Sequence, residues 1–514
     1  MSRTQSSVKN LITAVTGQVF GIIISFIARM IFLQYLSEDY LGLNGLFTNI
    51  LTIFSLVELG VGPAMNFSLY KPLAENDIPK VKSLMSLYRK AYMVIGCAIA
   101  LIGLAFTPFY TVFMGVVPNI PHLTAIYWLF TLNTVVSYFF SYKRALIICD
   151  EKRYIATIYR YVFYFLLNIV QIAALILTHN YILFLSIQVA FTFAENVCVS
   201  LKADKMYPFL KEPNTSPVSR DDKKEIKKNI GAMLMHKIGG MAVLSTDNII
   251  LSRFVSLTAV GLYSNYYLIT DALGKITGQV FSSITASVGN LNAYEDEKSR
   301  QKLAVTFNRT FFINFWIYGF CSCCLWVLFN PFISLWLGSD LIFDNFTVLV
   351  IVVNFYLTGM RKSTQTFREA TGAFYYDRFK PLAEAAINII ASVILAEQLG
   401  TAGVFLGTII STLATCIWIE PYVLYKHIFK RSCGPYFIRL IAYTLVTILA
   451  AGLTYFISCL LSAGNALTDL IIKFAVCLVI PNAVFLLCFF RTDDFKYFVR
   501  LISDVVKKLF KTKK

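Results

Sequence analysis

Apolar runs of twenty or more residues, hardly interrupted by charge, recur from one end of the chain to the other, and each is long enough to cross a bilayer as a helix. In order they predict fourteen helices, at about 11–35, 43–69, 88–114, 122–143, 155–178, 180–202, 230–254, 260–290, 307–329, 345–371, 379–398, 402–426, 436–460 and 467–490. In the tenth the apolar part ends near Met360, and Arg361 and Lys362 follow. The polar intervals are short. The longest, Lys202 to Asn229, is under thirty residues, too few for a domain outside the membrane. An all-α polytopic membrane protein is expected.

An internal repeat organises these runs. Placing Asn10 on Asn229, an offset of 219, lays the first run on the seventh without a gap. Gly21 then falls on Gly240, and Leu41-Gly42-Leu43 falls on Val260-Gly261-Leu262. Six spans separate the copies, so the repeats are parallel, a plan in which transporters place the substrate between two halves. The expected domains are an N-lobe at 1–202, a linker at 203–229, a C-lobe at 230–430 and two added spans at 431–490. A basic tail follows at 491–514, where Phe495, Phe498, Val499 and Ile502 recur at helical spacing among Lys and Arg. That pattern predicts an amphipathic helix drawn to anionic lipid.

Composition sharpens this picture. Of 514 residues 57% are hydrophobic and only 15% charged, which excludes a soluble enzyme. The net charge of +17 does not mark a nucleic-acid binder, because 40 of the 46 Lys and Arg fall in segments on the side of the N-terminus. The opposite loops hold only Arg253, and by the positive-inside rule both termini should be cytoplasmic. The eleven cysteines lie mostly within apolar runs and suggest neither a disulfide framework nor a metal site. Four scattered histidines, and the lack of a Gly-rich phosphate loop, leave no metal, no cofactor and no ATP site to expect.

Ionisable residues inside the spans carry the functional signal, since each costs at least about 2.5–3.5 kcal/mol at a helix centre unless it faces a cavity or a partner. Glu58 lies mid-span before Gly60, Gly62 and Pro63, which should loosen the helix. Lys237 and Asp247 share the seventh span but stand about 15 Å apart along it, too far to pair. Asp271 and Lys275 are spaced i, i+4 and either neutralise each other or hold a ligand. Arg29 either snorkels to the interface or faces a cavity. Arg361 and Arg368 either line the tenth span or mark its early end. The expected cationic cavity is Lys237, Lys275, Arg361, Arg368 and Arg29, with Glu58, Asp247 and Asp271 as candidates for ion or proton coupling.

Several stretches resemble a known family. They are Arg29-Met30-Ile31-Phe32-Leu33, the run Tyr40 to Phe47, Glu58-Leu59-Gly60 and Leu69-Tyr70-Lys71-Pro72-Leu73. Others are Thr246-Asp247-Asn248-Ile249-Ile250, Gly261-Leu262-Tyr263-Ser264-Asn265-Tyr266, Lys380-Pro381 with Asn388, and Gly407-Thr408-Ile409. They are similar to bacterial oligosaccharide flippases, the polysaccharide-transporter branch of the multidrug/oligosaccharidyl-lipid/polysaccharide (MOP) exporter superfamily. The resemblance implies about fourteen helices in two lobes in the bacterial cytoplasmic membrane. It implies flipping of an undecaprenyl-pyrophosphate-linked oligosaccharide, with a polysaccharide polymerase downstream for capsule, O-antigen or exopolysaccharide. A lipid II flippase and a cation-coupled drug exporter of the same superfamily are the alternatives.

Overall fold

The computed structural model describes residues 3–58, 60–212, 218–219, 224, 226, 246–292, 297–373, 376–500 and 503. The described residues form helices and no strand. Among the described residues nine helical segments are long and apolar enough to cross a membrane, ten with the bent pair Leu123–Phe139 and Ser141–Cys149. The segment Lys380–Phe429 counts once among the nine although it doubles back. The seventh predicted run lies largely outside the described residues. The chain divides into two compact units, Met1–Gly261 and Leu262–Lys514; much of the predicted linker lies outside the described residues.

The first unit holds α1 (Arg3–Tyr35), α2 (Glu38–Phe54), α3 (Val61–Ala74), α4 (Ile78–Phe106), α5 (Leu123–Phe139), α6 (Ser141–Cys149), α7 (Arg153–Thr178) and α8 (Tyr181–Met206). Where the sequence predicts one second span, the helix breaks. After α2 a single 3-10 turn, Ser55–Glu58, leads to Gly60 at φ 81°, and α3 starts anew. A side chain at that φ would clash with the carbonyl that follows, so glycine fits the break. The predicted fourth span bends by 46° between α5 and α6. Asp77 and Asn180 cap α4 and α8 by accepting backbone N–H bonds.

The repeat has a physical counterpart within this unit. A Cβ on Gly42 would lie 2.2 Å from the backbone oxygen of Leu257, and one on Gly261 would lie 2.2 Å from that of Glu38. Glu38 and Leu257 are themselves 219 apart, as are Gly42 and Gly261. Thr258 donates to Asp39 Oδ1 at 2.7 Å, again across 219 residues. Two turns matched by the sequence offset therefore touch reciprocally.

The second unit takes in most of α9 (Leu257–Asn292), then α10 (Glu297–Leu337), α11 (Asn345–Met360), α12 (Lys362–Thr371), α13 (Lys380–Ser411), α14 (Ile417–Val423), α15 (Gly434–Leu460) and α16 (Ala466–Phe489). Helix α13 reverses at Gly400 (φ 57°, ψ −132°) into two antiparallel arms. Asn388 donates to Thr408 Oγ1 and Ser392 to the Val404 carbonyl, both at 2.9 Å. Gly403 and Gly407 let the arms close, because a Cβ there would fall 2.0 Å from the Leu395 oxygen and 2.2 Å from Ser392 Oγ. These arms match the eleventh and the start of the twelfth predicted runs. Two π-helical segments, Thr412–Cys416 and Leu424–Phe429, flank α14. The aromatic core centres on Phe307, Phe311, Phe315, Tyr436 and Tyr443. Phe495 and Phe498, expected on a lipid-facing tail, instead rest on Trp316, with ring centroids 5.6 and 5.5 Å away.

Candidate functional site

Six charged side chains meet inside the second unit. Arg361 stands at the joint between α11 and α12, where the apolar run ends; its Nη2 and Nε donate to the two carboxylate oxygens of Glu420 at 2.8 and 3.3 Å. Its Nη1 donates to Glu384 at 3.3 Å. One helical stretch later, Arg368 reaches Glu420 at 3.0 Å and Asp377 at 2.9 Å. Lys380, at the start of α13, donates to Glu420 and lies 3.5 Å from Glu384. Glu420 is 1% exposed, and none of the six exceeds 9%.

Local sequence explains the convergence. Pro421 follows Glu420 directly and lacks an N–H, and π-helical turns bound the segment on both sides, so the helix is irregular where the carboxylate projects. The planar fork of Arg361 suits a bidentate carboxylate. Three cations and three carboxylates leave the group neutral. A phosphate would thus meet Arg361 and Arg368 already engaged and would have to compete with Glu420. Helix α11 closes at Met360 and α12 opens at Lys362, with Arg361 itself in helical conformation between them.

The remaining candidates fall elsewhere. Lys275 and Asp271 pair with each other at 2.6 Å, with the lysine side chain 54% exposed. Among the described residues no ion pair links them to the Glu420 group. Arg29 and Asp247 belong to the first unit and are half-buried. Lys237 lies outside the described residues.

Glu58 occupies a different setting in the first unit. It ends the 3-10 turn before Gly60, and its carboxylate accepts from Tyr92 at 2.9 Å and from Tyr138 at 3.4 Å. Tyr88 stands behind, 3.5 Å from the Tyr92 hydroxyl and 3.3 Å from Asn66 Oδ1. Gly62 makes room for this array, because a Cβ there would lie 2.6 Å from Glu58 Oε1 and 2.7 Å from the Tyr92 hydroxyl. An acid ringed by phenols can hold a proton or a small cation while its neighbours donate hydrogen bonds. Sequence reasoning found Glu58 and missed its tyrosines, which lie on other helices. It also passed over Glu420, although a lone carboxylate in the apolar run 402–426 meets the criterion that selected Glu58.

Among the described residues no group of three or more His, Cys, Asp or Glu is placed to hold a metal ion. No protein-family model and no curated protein matches the chain. Solved structures do. "Lipid II flippase MurJ, inward closed conformation" superposes with a TM-score of 0.64 at 13% identity, covering 93% of this chain and all of that one. The chain has the fold of MOP-superfamily transporters. A superfamily transporter from Pyrococcus furiosus aligns at TM-score 0.57 and 14% identity, over 84% of this chain and 98% of that one. An inward-facing multidrug-resistance MATE transporter aligns at 0.59 and 16%, over 81% and 97%. At these identities the likeness is one of fold, and these neighbours are transporters rather than enzymes.

Proposed function

We propose that this protein is a flippase of the bacterial cytoplasmic membrane, moving an undecaprenyl-pyrophosphate-linked oligosaccharide from the inner to the outer leaflet for a polymerase to use. The observation that carries this reading is the match to a lipid II flippase over 93% of the chain. That neighbour is named for flipping a lipid-linked substrate, and the framework motifs resemble oligosaccharide flippases. Both termini would be cytoplasmic, a reading the Lys and Arg distribution supports. Lys237, Lys275, Arg361, Arg368 and Arg29 would meet the pyrophosphate in a wet cavity between lobes. For Arg361 and Arg368 this requires partner exchange, with phosphate oxygens replacing Glu420 at the guanidinium forks. Glu58, Asp247 or Asp271 would carry the coupling proton or cation, and the lobes would open alternately to each side.

A second reading, a cation-coupled drug exporter, draws support from the acid-and-phenol setting of Glu58 and from the MATE likeness. Proteoliposomes containing the purified chain and a lipid-linked oligosaccharide decide between them. The flippase reading expects sugar to become accessible to an external glycosidase, faster under an imposed proton or sodium gradient. Unchanged accessibility, together with gradient-driven uptake of a lipophilic cation, would establish the exporter instead.

A further inference from the structure

The loop joining Phe429 to α15 lines an open pocket of about 560 Å³ that the transport reading does not use. Its wall includes Tyr422, Tyr425, Lys426, Lys430, Arg431 and Ser432 and, among the described residues, no carboxylate. Lys426 donates to the Tyr422 hydroxyl at 3.0 Å and covers that ring at 5.1 Å. Ser432 Oγ accepts from the Gly434 N–H at 3.3 Å, which leaves its own proton to donate. The nearby Arg439 is paired with Asp494 at 3.1 Å, whereas among the described residues neither Lys430 nor Arg431 has an acidic partner. Lys430 also sits at φ 53°, a left-handed helix end where glycine is the usual occupant.

The surroundings locate the pocket relative to lipid. Trp418, Tyr422 and Lys426 follow at i, i+4 and i+8 and are all exposed, so one helix face passes from aromatic to cationic. That order belongs to the membrane–water boundary. Helix α15 leaves the same loop with Ile438, Ile441, Leu445 and Ile448 exposed along one face, a stripe suited to acyl chains.

We propose that this pocket binds the phosphate of an anionic phospholipid, independently of what the protein transports. An acyl chain lies along the exposed stripe of α15, and the phosphate oxygens accept from Lys426, Lys430, Arg431 and Ser432. Three positive charges without a carboxylate favour a headgroup of net negative charge over a zwitterion.

Native mass spectrometry of the full-length protein in detergent tests this with phosphatidylglycerol, phosphatidylcholine and inorganic phosphate as probes. The wild type should retain phosphatidylglycerol in preference to phosphatidylcholine, and the combined Lys426→Gln, Lys430→Gln, Arg431→Gln variant should bind it at least tenfold more weakly. Lys430→Gly separates binding from folding: glycine relieves the left-handed backbone, so melting temperature should hold or rise while phosphatidylglycerol affinity falls about threefold. Equal phosphatidylglycerol binding by the wild type and the triple variant overturns the proposal. Inorganic phosphate bound by the wild type alone, without discrimination between the lipids, upholds the phosphate site and overturns its lipid source.

Discussion

Arg361 cannot be altered without consequence for Glu420, because its guanidinium supplies both oxygens of that buried carboxylate with a donor. Without Arg361, Glu420 keeps Arg368 and Lys380, but the buried group carries one uncompensated negative charge, at a cost of at most about 3–5 kcal/mol. Arg361→Ala should therefore lower the melting temperature and yield in detergent, whatever it does to transport. Arg361→Lys should be milder, since a charge remains while the fork is lost. Loss of surface polysaccharide in Arg361→Ala would assign a substrate role only if protein levels stayed normal. For Glu58 the sign is opposite. Glu58→Gln keeps the size and an acceptor for Tyr92 and removes the ionisable oxygen, so melting should hold while gradient-driven acceleration of flipping disappears. Acceleration equal to wild type would remove Glu58 from the coupling set. Single charges in apolar runs were legible from the sequence; their partners were not, since pairing Arg361 with Glu420 needs contact across 59 residues.

At the scale of elements, glycine decides where helices stop and how closely they approach. Gly60→Ala should cost about 1–2 kcal/mol at the φ 81° break, seen as an earlier thermal transition. Gly407→Ala adds a methyl 2.2 Å from Ser392 Oγ and 2.4 Å from its backbone nitrogen. The arms of α13 must part to admit it, at about 1–3 kcal/mol by the measure of overpacked cores. A melting temperature unchanged in Gly407→Ala would show that the arms can separate freely. Helix positions were readable because twenty apolar residues leave no other structure within lipid. The break at Gly60 was readable too, from its glycines and Pro63. The π-helical segments around Glu420 were not, because they depend on which carbonyls the bundle leaves to be satisfied. Nor was the docking of Phe495 and Phe498 on Trp316, since an apolar helix face reads the same whether it meets lipid or protein.

For the molecule as a whole, the offset of 219 was the most informative line in the sequence, and the reciprocal approach of Gly42 and Gly261 is where it becomes geometry. A methyl at either glycine would meet the opposing backbone oxygen at 2.2 Å. Gly42→Ala and Gly261→Ala should each loosen this contact and slow flipping, and the double variant should be no worse than about the poorer single one, because both act on one contact. Asp39→Cys with Thr258→Cys, oxidised to a disulfide, should hold the turns together and stop transport; full flipping with the crosslink complete would show that they never part. Contacts in which i meets j while the counterpart of j meets the counterpart of i are the signature of isologous pairing between identical subunits. At Glu38–Gly42 and Leu257–Gly261 two turns of one covalent chain meet in that reciprocal way. Because the atom nearest each glycine belongs to the other turn's backbone rather than to a side chain, a methyl gained at either one can be admitted only by moving the opposing turn as a whole.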